Sequence, residues 1–387
     1  MRILIVTTVH TPLDARIHHR QLRSLIDAGW DVTYAAPWRA TGTSPGAVVA
    51  GTEVVDLPRA VGRHRLPALL AARRVVRRLA PGHDLVLLHD PELLLAVPGR
   101  IRRRVPVVLD VHEDLAASLP DRRWVPARLR RPVTRAAVAL ERWAERHVTL
   151  LLAEDGYRAR FRGEHPVVPN LPWIPTEVPP AASEDRVVQV GRLSTGRGVA
   201  ELLSLGARLA VAGGPTLHLI GAADTDVEPA VRAAVARGEL VWHGYLPNAE
   251  ALALVEGSVA GLSLLHDLPN YRVSRPTKLV EYLAHGVPAV TTPLPAAVEL
   301  LTRIPGGLVV PFGDVTAVAE AVLALAHDPA EARRLGAAGR AGVAAVASWD
   351  AAAPDFVAAL TRAVTSRGGR AAARRSRRRP RAPRRPG

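Results

Sequence analysis

At 387 residues the chain is longer than one hydrophobic core supports, so two domains are expected, and 48% hydrophobic residues are enough to fill them. The absence of cysteine removes disulfides, thiolate metal sites and thiol nucleophiles together, and it fits a reducing compartment. The formal charge is +15, but residues 367–387 hold ten arginines and no acid, which leaves +5 for residues 1–366.

The amino terminus, MRILIVTTVH, has one basic residue and then a short apolar run that His10 ends. That run is too short for a signal peptide or a membrane span and reads as a buried first strand. Further on, LVLLHDPELLLAV is interrupted by His89, Asp90, Pro91 and Glu92, and no run reaches about 18 apolar residues, so the chain is not expected to cross a membrane. Strand candidates follow at 3–8, 32–36, 54–57, 85–88 and 105–109, and after a break at 187–190, 217–220, 240–242, 260–265, 289–291 and 307–310. These runs are continuous rather than alternating, as in parallel strands covered on both faces. Helical patterns at 15–28, 67–79, 129–146, 249–256 and 316–327 lie between them. Repeated strand–helix–strand units predict an α/β protein with doubly wound parallel sheets.

Residues 166–183 are rich in proline and have no periodicity, so they are expected to be a hinge between a domain at 1–165 and a domain at 184–348. The helical pattern over 349–366 could pack back across that linker. Residues 367–387, built from Arg, Ala, Pro, Gly and Ser, are expected to be disordered. Such a tail either binds polyanions or is an extension without a role. No aromatic residue stands among its arginines, so base stacking is not offered and no specific nucleic-acid partner is expected.

In open α/β sheets ligands sit at the carboxyl ends of strands, so the turns after strands carry the chemistry. The turn GRLSTGRG, Gly191 to Gly198, combines close backbone approach, a following helix N-terminus and the two cations Arg192 and Arg197. It predicts a diphosphate site. Arg197 and Gly198 stand where a P-loop requires Lys and Ser or Thr, which excludes an NTPase of that type. The first turn, TTVHTPLDAR, lacks the glycines of a dinucleotide fold.

Past another strand, LDVHEDL offers His112, Glu113 and Asp114 as metal ligands, acid/base groups or sugar contacts; the alternative is helix capping by the acids and a backbone hydrogen bond for His112. Asp14 resembles a cap, and Arg16 a phosphate or acceptor contact. Asp224 and Asp226 form a DxD pattern, but they precede a helical pattern whose dipole they compensate. In PTKLVEYLAHGVP, Lys278 and Glu281 lie three residues apart on one helix face while Leu279, Val280 and Leu283 turn to a core. The pair either suits a ligand with phosphates at one end and hydroxyls at the other or is a surface ion pair.

The segments MRILIVTTVHTPLDARIHHRQLRSLIDAGWDV, VLDVHE, VVPN, VGRLSTGRG, HLIG, HGYLP, PTKLVEYLAHGVPAV and GGLVVPFGD occur in the order and spacing of glycosyltransferase family 4 (glycosyltransferase group 1). The chain resembles that family over about residues 1–365. The resemblance implies a GT-B fold, two Rossmann-like domains facing a central cleft, and a retaining, metal-independent transferase without a cofactor. It implies that Arg192 and Arg197 grip the diphosphate of a UDP- or GDP-sugar and that Glu281 holds the ribose hydroxyls. Lys278 would support the phosphate side, Gly191 and Leu279 would join the donor-binding residues, and Gly244 and Tyr245 would lie by the base. His112 would line the transfer site, with Asp14, Arg16 and Glu113 on the acceptor side. Many relatives have an acid where this chain has Val273.

The implied reaction moves a glycosyl group from the nucleotide diphosphate sugar to an acceptor hydroxyl with retention, in polysaccharide, glycolipid or other glycoconjugate synthesis. Arginines at 73, 74, 77, 78, 100, 102, 103 and 104, and those around Trp124, would rest on an anionic membrane face to reach a lipid-linked acceptor, which places the protein in the cytoplasm or at the inner face of the membrane. The alternative for that surface is solvated helix faces. A nucleotide-sugar epimerase on the same fold, or a non-catalytic polyanion-binding scaffold, are the alternative functions.

Overall fold

The computed structural model describes residues 1–112, 127–272 and 276–376, and of residues 127–131 and 367–376 the backbone alone. Glu113, Asp114, Arg122, Arg123, Val273 and residues 377–387 lie outside the described residues, and of Arg128, Arg130 and Arg131 the backbone alone is described.

The chain divides into two compact units, one formed by Met1–Pro169 with Ala353 onward, the other by Asn170–Ala352. In the first, strands β1 (Arg2–Val6), β2 (Asp31–Ala36), β3 (Thr52–Asp56), β4 (Leu85–Leu88), β5 (Val107–Val111) and β6 (Thr149–Leu152) form a sheet in the order β3-β2-β1-β4-β5-β6. Every pairing in it is parallel. Helices α1 (Arg23–Asp27), α2 (Arg65–Leu79) and α3 (Ala127–His147) belong to this unit, and a π-helical segment, Ala15–Leu22, runs into α1. Its core joins β1, β4 and β5 through Leu4, Val6, Val86, Leu88 and Leu109 to Ala72 and Val76 of α2. Only the small or branched residues of α2 turn inward, and its arginines stay outside.

The second unit repeats the plan. Strands β7 (Arg186–Val190), β8 (Thr216–Ile220), β9 (Val241–Trp242), β10 (Ala260–Ser263), β11 (Ala289–Thr291) and β12 (Gly307–Val309) are ordered β12-β11-β10-β7-β8-β9, again all parallel. Around them lie α4 (Val199–Ala212), α5 (Glu228–Ala236), α6 (Asn248–Val255), α7 (Thr277–Ala284), α8 (Pro295–Arg303), α9 (Val315–His327) and α10 (Pro329–Val346). Counted from its own first strand, each sheet has the order 3-2-1-4-5-6. The order reverses between β1 and β4 in one unit and between β7 and β10 in the other, and those switch points are where a ligand finds open strand ends.

Several expectations are corrected. β6 was not expected: its run follows α3 with no glycine or proline to mark the change, and only the β-branched Val148 and Thr149 signal it. The proline-rich stretch begins as sheet edge, since Val167 bridges Leu152 and Val168 N donates to Leu152 O at 2.8 Å. Helix α11 (Trp349–Ser376) continues well past residue 366. Alanine and arginine are strong helix formers, which a judgement from composition alone overlooks. Residues 329–366 include a window of membrane-span length and apolarity, 39% buried. That helix character is interrupted at Ala347 and Ser348, and the large side chains beyond, Trp349, Phe356 and Leu360, are fully buried, as in core helices of globular proteins.

Candidate functional site

In the second unit β7 runs directly into Gly191, whose φ of 127° only glycine holds without strain. Gly221 crosses directly over it, and a Cβ there would stand 2.0 Å from Gly191 O. Gly198, at φ 74°, begins α4 where a Cβ would meet Leu264 O at 2.2 Å. The loop from Gly191 to Gly198 is therefore pressed onto the ends of β8 and β10. A side chain at Gly191 would fill the space that Arg197 and Lys278 border: its Cβ would lie 3.5 Å from Arg197 Nη1 and 4.0 Å from Lys278 Cε. Arg197 also stands over the Tyr271 ring, 5.9 Å from its centroid.

Lys278 Nζ donates to Glu281 Oε2 at 2.6 Å, and Glu281 is buried while Lys278 is half-buried. Their helix, α7, is held by a residue the sequence reading passed over. The Tyr282 hydroxyl accepts from Val190 N at 2.9 Å and donates to Leu262 O at 3.1 Å, so one phenol ties α7 to β7 and β10. Gly261 makes room for it, since a Cβ there would be 2.3 Å from the ring. The pairing of a buried Tyr with a strand glycine was the available signal. Leu279 is wholly within the core and offers a ligand only its main chain. Gly244 O accepts from Gly221 N at 2.7 Å, and Tyr245, next to it, is exposed.

Arg192 does not join this group. Its guanidinium is hydrogen-bonded to Asp224, whose main-chain oxygen in turn accepts from Val227 N at 3.0 Å and Glu228 N at 2.9 Å. Asp224, expected to serve the dipole of α5, stands just ahead of that helix and directs its carboxylate at Arg192, a charge-assisted bond.

In the first unit a buried polar network sits at the ends of β1, β4 and β5. Asp90 accepts from Thr8 N at 2.5 Å and Val9 N at 3.2 Å, and from the hydroxyls of Thr7 and Thr8, which fixes the turn after β1. Asp110, with no exposed surface on its side chain, takes Arg16 Nε and Nη2 at 2.7 Å each and Gln21 Nε2 at 2.8 Å. Arg16 Nη2 also donates to Val168 O at 3.0 Å. Burial pushes the Asp110 carboxyl up, but the Arg16 charge and hydrogen bonds prevail and hold it well below the usual carboxylate range. Arg16 is thus corrected from an acceptor contact to a buried counter-ion. Asp14 caps the π-helical segment as expected, accepting from Arg16 N at 2.8 Å and Ile17 N at 3.0 Å. Although burial raises its carboxyl, the neighbouring His10 lowers it further than that, leaving it ionised.

His112 is the group that this network presents to open space. Its Nδ1 lies 3.2 Å from Asp110 O and its Nε2 lies 2.9 Å from His10 Nε2, so one imidazole N–H is donated to the other ring. Burial, and then the charge of His10, lower the His112 pKa to about 4 against the pull of Asp110, which keeps the ring neutral at pH 7. His89, Asp110 and His112 offer ligand atoms within 4.8 Å of one another. The Arg16 guanidinium bonds both Asp110 oxygens and already balances that carboxylate's charge. Beside His10 and His112 opens a cavity of about 720 Å³ walled largely by leucine, valine and alanine.

Residues 15–154 match the family model described as "Glycosyl transferase 4-like domain" and residues 184–328 match "Glycosyl transferases group 1". Among curated protein sequences, no match was found. Among solved structures, sucrose-phosphate synthase from Thermosynechococcus elongatus is similar at 18% identity, with 94% of this chain and 99% of that one covered and a TM-score of 0.70. HepE of Anabaena in complex with UDP-glucose is similar at 16% identity, with 93% and 99% covered and a TM-score of 0.65. WaaG, a glycosyltransferase involved in lipopolysaccharide biosynthesis, is similar at 13% identity, with 93% and 98% covered and a TM-score of 0.65. At these identities the likeness is one of fold.

Proposed function

Because the chain belongs to the group 1, family-4-like glycosyltransferases, with their GT-B architecture of two Rossmann-like units, we propose that its second unit binds a nucleotide diphosphate sugar at Gly191 and transfers the sugar with retention. The observation that carries this reading is the cluster of Arg197, Lys278 and Glu281 around the side-chain-free surface of Gly191, at the switch point of the second sheet. Two cations face the space where a diphosphate would lie, and the N-terminus of α4 adds its dipole. Glu281, buried and acceptor-only, suits the ribose hydroxyls. Arg192, on an exposed bond to Asp224, is free to swing onto the diphosphate, since such pairs are worth at most about 1 kcal/mol.

The charge that develops on the departing diphosphate would be met by these guanidinium and ammonium groups, and no metal ion is invoked. The neutral His112, held through Nδ1 by Asp110, would exchange its Nε2 bond to His10 for one to a sugar hydroxyl in the first unit. Gly244 and Tyr245 are assigned to the base. The acceptor is a hydroxyl-bearing molecule, and the exposed arginines of α2, Arg74, Arg77 and Arg78, support contact with an anionic membrane face.

HepE was solved with UDP-glucose, which makes that molecule the first donor to try. Calorimetry with UDP-glucose, UDP, GDP-mannose and GDP on the wild type and on Arg197→Ala and Glu281→Gln is the test. The reading expects at least one of these ligands to bind and both substitutions to weaken it about tenfold or more. Equal binding by wild type and both variants rejects the site.

A further inference from the structure

The cavity beside His10 and His112 is lined mostly by apolar side chains. Its lining joins the polar groups His10, Asp90 and His112 to the apolar side chains Leu69, Leu94 and Leu140. At the outer rim Leu66 and Leu95, 63% and 58% exposed, extend that apolar wall to the protein surface. Two large side chains left in water beside a cavity mark a surface made to be covered.

Away from His10, Asp90 and His112, charged groups of the lining already hold ion pairs. Arg65 Nη1 donates to Glu92 Oε1 at 2.9 Å, and Glu141 is bonded to Arg160. A polyhydroxylated acceptor entering here would leave its hydroxyls without the water they hydrogen-bonded, with little in exchange. An aliphatic body loses nothing and gains by leaving water.

We propose that this cavity takes the apolar body of the acceptor, an amphiphile whose hydroxyl is delivered to the His10 and His112 end. The proposal rests on the glycosyl-transfer reading above and narrows its acceptor class. Leu66 and Leu95 receive the aliphatic part first, and chain length decides affinity while the hydroxyl-bearing head decides orientation.

The test uses the full chain with methyl β-D-glucoside and octyl β-D-glucoside, the latter below its micelle concentration, in titration calorimetry. Octyl glucoside is expected to bind at least tenfold more tightly than methyl glucoside, with a negative heat-capacity change. Leu95→Asp and Leu66→Asp, both at the surface and therefore tolerated by the fold, are expected to abolish that advantage. Equal affinity for the two glucosides, or a full advantage retained in both variants, overturns the proposal. Thermal shift by UDP and GDP runs in parallel on every variant: a shift without any glucoside discrimination sinks the amphiphile alone, and no shift in the wild type sinks the donor reading. Flotation with phosphatidylglycerol vesicles containing diacylglycerol separates the sources. Flotation that needs Leu66 and Leu95 identifies a membrane lipid, whereas octyl glucoside binding without flotation identifies a soluble amphiphile.

Discussion

The phenolic oxygen of Tyr282 accepts the main-chain N–H of Val190, 2.9 Å away, and so seats the helix bearing Lys278 and Glu281 on the strand that leads into Gly191. Tyr282→Phe keeps the ring against Gly261 and leaves a buried N–H without its partner. A loss of about 1–3 kcal/mol in unfolding free energy is expected, measured by urea denaturation, together with weaker donor binding by calorimetry. Unchanged stability would show that Val190 finds another acceptor.

Gly191→Ala puts a methyl group between Arg197 and Lys278 and imposes strain at φ 127°. Strain of about 1–3 kcal/mol is expected to appear in thermal unfolding. A fall in UDP or GDP affinity larger than that seen for Gly213→Ala, a left-handed glycine with open space around it, would separate blockage of the site from strain alone.

Asp224→Ala and Arg192→Ala should act in opposite directions. Removing Asp224 releases the Arg192 guanidinium, so nucleoside diphosphate affinity is expected to rise a few-fold, and removing Arg192 to lower it about tenfold, both less at high salt. Calorimetry at two ionic strengths decides, and equal affinities for the two variants would remove Arg192 from the donor site.

Asp110→Asn leaves Arg16 buried beside a neutral amide. A loss of about 3–5 kcal/mol is expected by denaturation, since the charge stays and its counter-ion goes. The double variant Asp110→Leu with Arg16→Met should recover much of that loss, and failure to recover would point to Gln21 or Val168 as the more important contact.

Acid should destabilise the protein in two stages. His112 has a folded pKa lowered to about 4 by burial and His10, so below its ordinary value of 6.5 the unfolded chain binds the proton first. Stability is therefore full above pH 6.5 and falls as the pH drops toward 4, by up to about 1.4 kcal/mol per unit for this residue. His18, lowered to about 4 by burial, adds to the same window. Asp110, depressed by Arg16, contributes stability above its unfolded value of 3.8 that disappears only at lower pH. Denaturation midpoints at pH 7, 5.5 and 4 for the wild type and His112→Phe check this, and the variant should show the shallower slope.

Continuous apolar runs and turn glycines announced the two parallel sheets, because burial on both faces and positive φ are local demands that a sequence must meet locally. The Gly191–Gly198 loop and the Lys278 and Glu281 pair were legible for that reason. Asp90 and Asp110 were not. Their partners, Thr7, Thr8, Arg16 and Gln21, lie more than eighty residues earlier, and only the pairing of β1 with β4, and β4 with β5, brings them together. Arg16 was misjudged on the same ground, since nothing beside it in the chain shows that its counter-ion is buried. The engagement of Arg192 by Asp224 depends on a contact across the ends of β7 and β8, which spacing alone does not reveal.

The first compact unit is assembled from Met1–Pro169 and the stretch beginning at Ala353. A ribosome therefore releases most of that unit long before the side chains of Phe356 and Leu360, both fully buried, have been made. The nascent amino-terminal half must wait in an incomplete state through the synthesis of everything from Asn170 to Ala352, a long loop to close and a long exposure. A stop codon just ahead of Ala353 would then harm the half of the molecule translated first, and chaperone dependence should be greatest at that end.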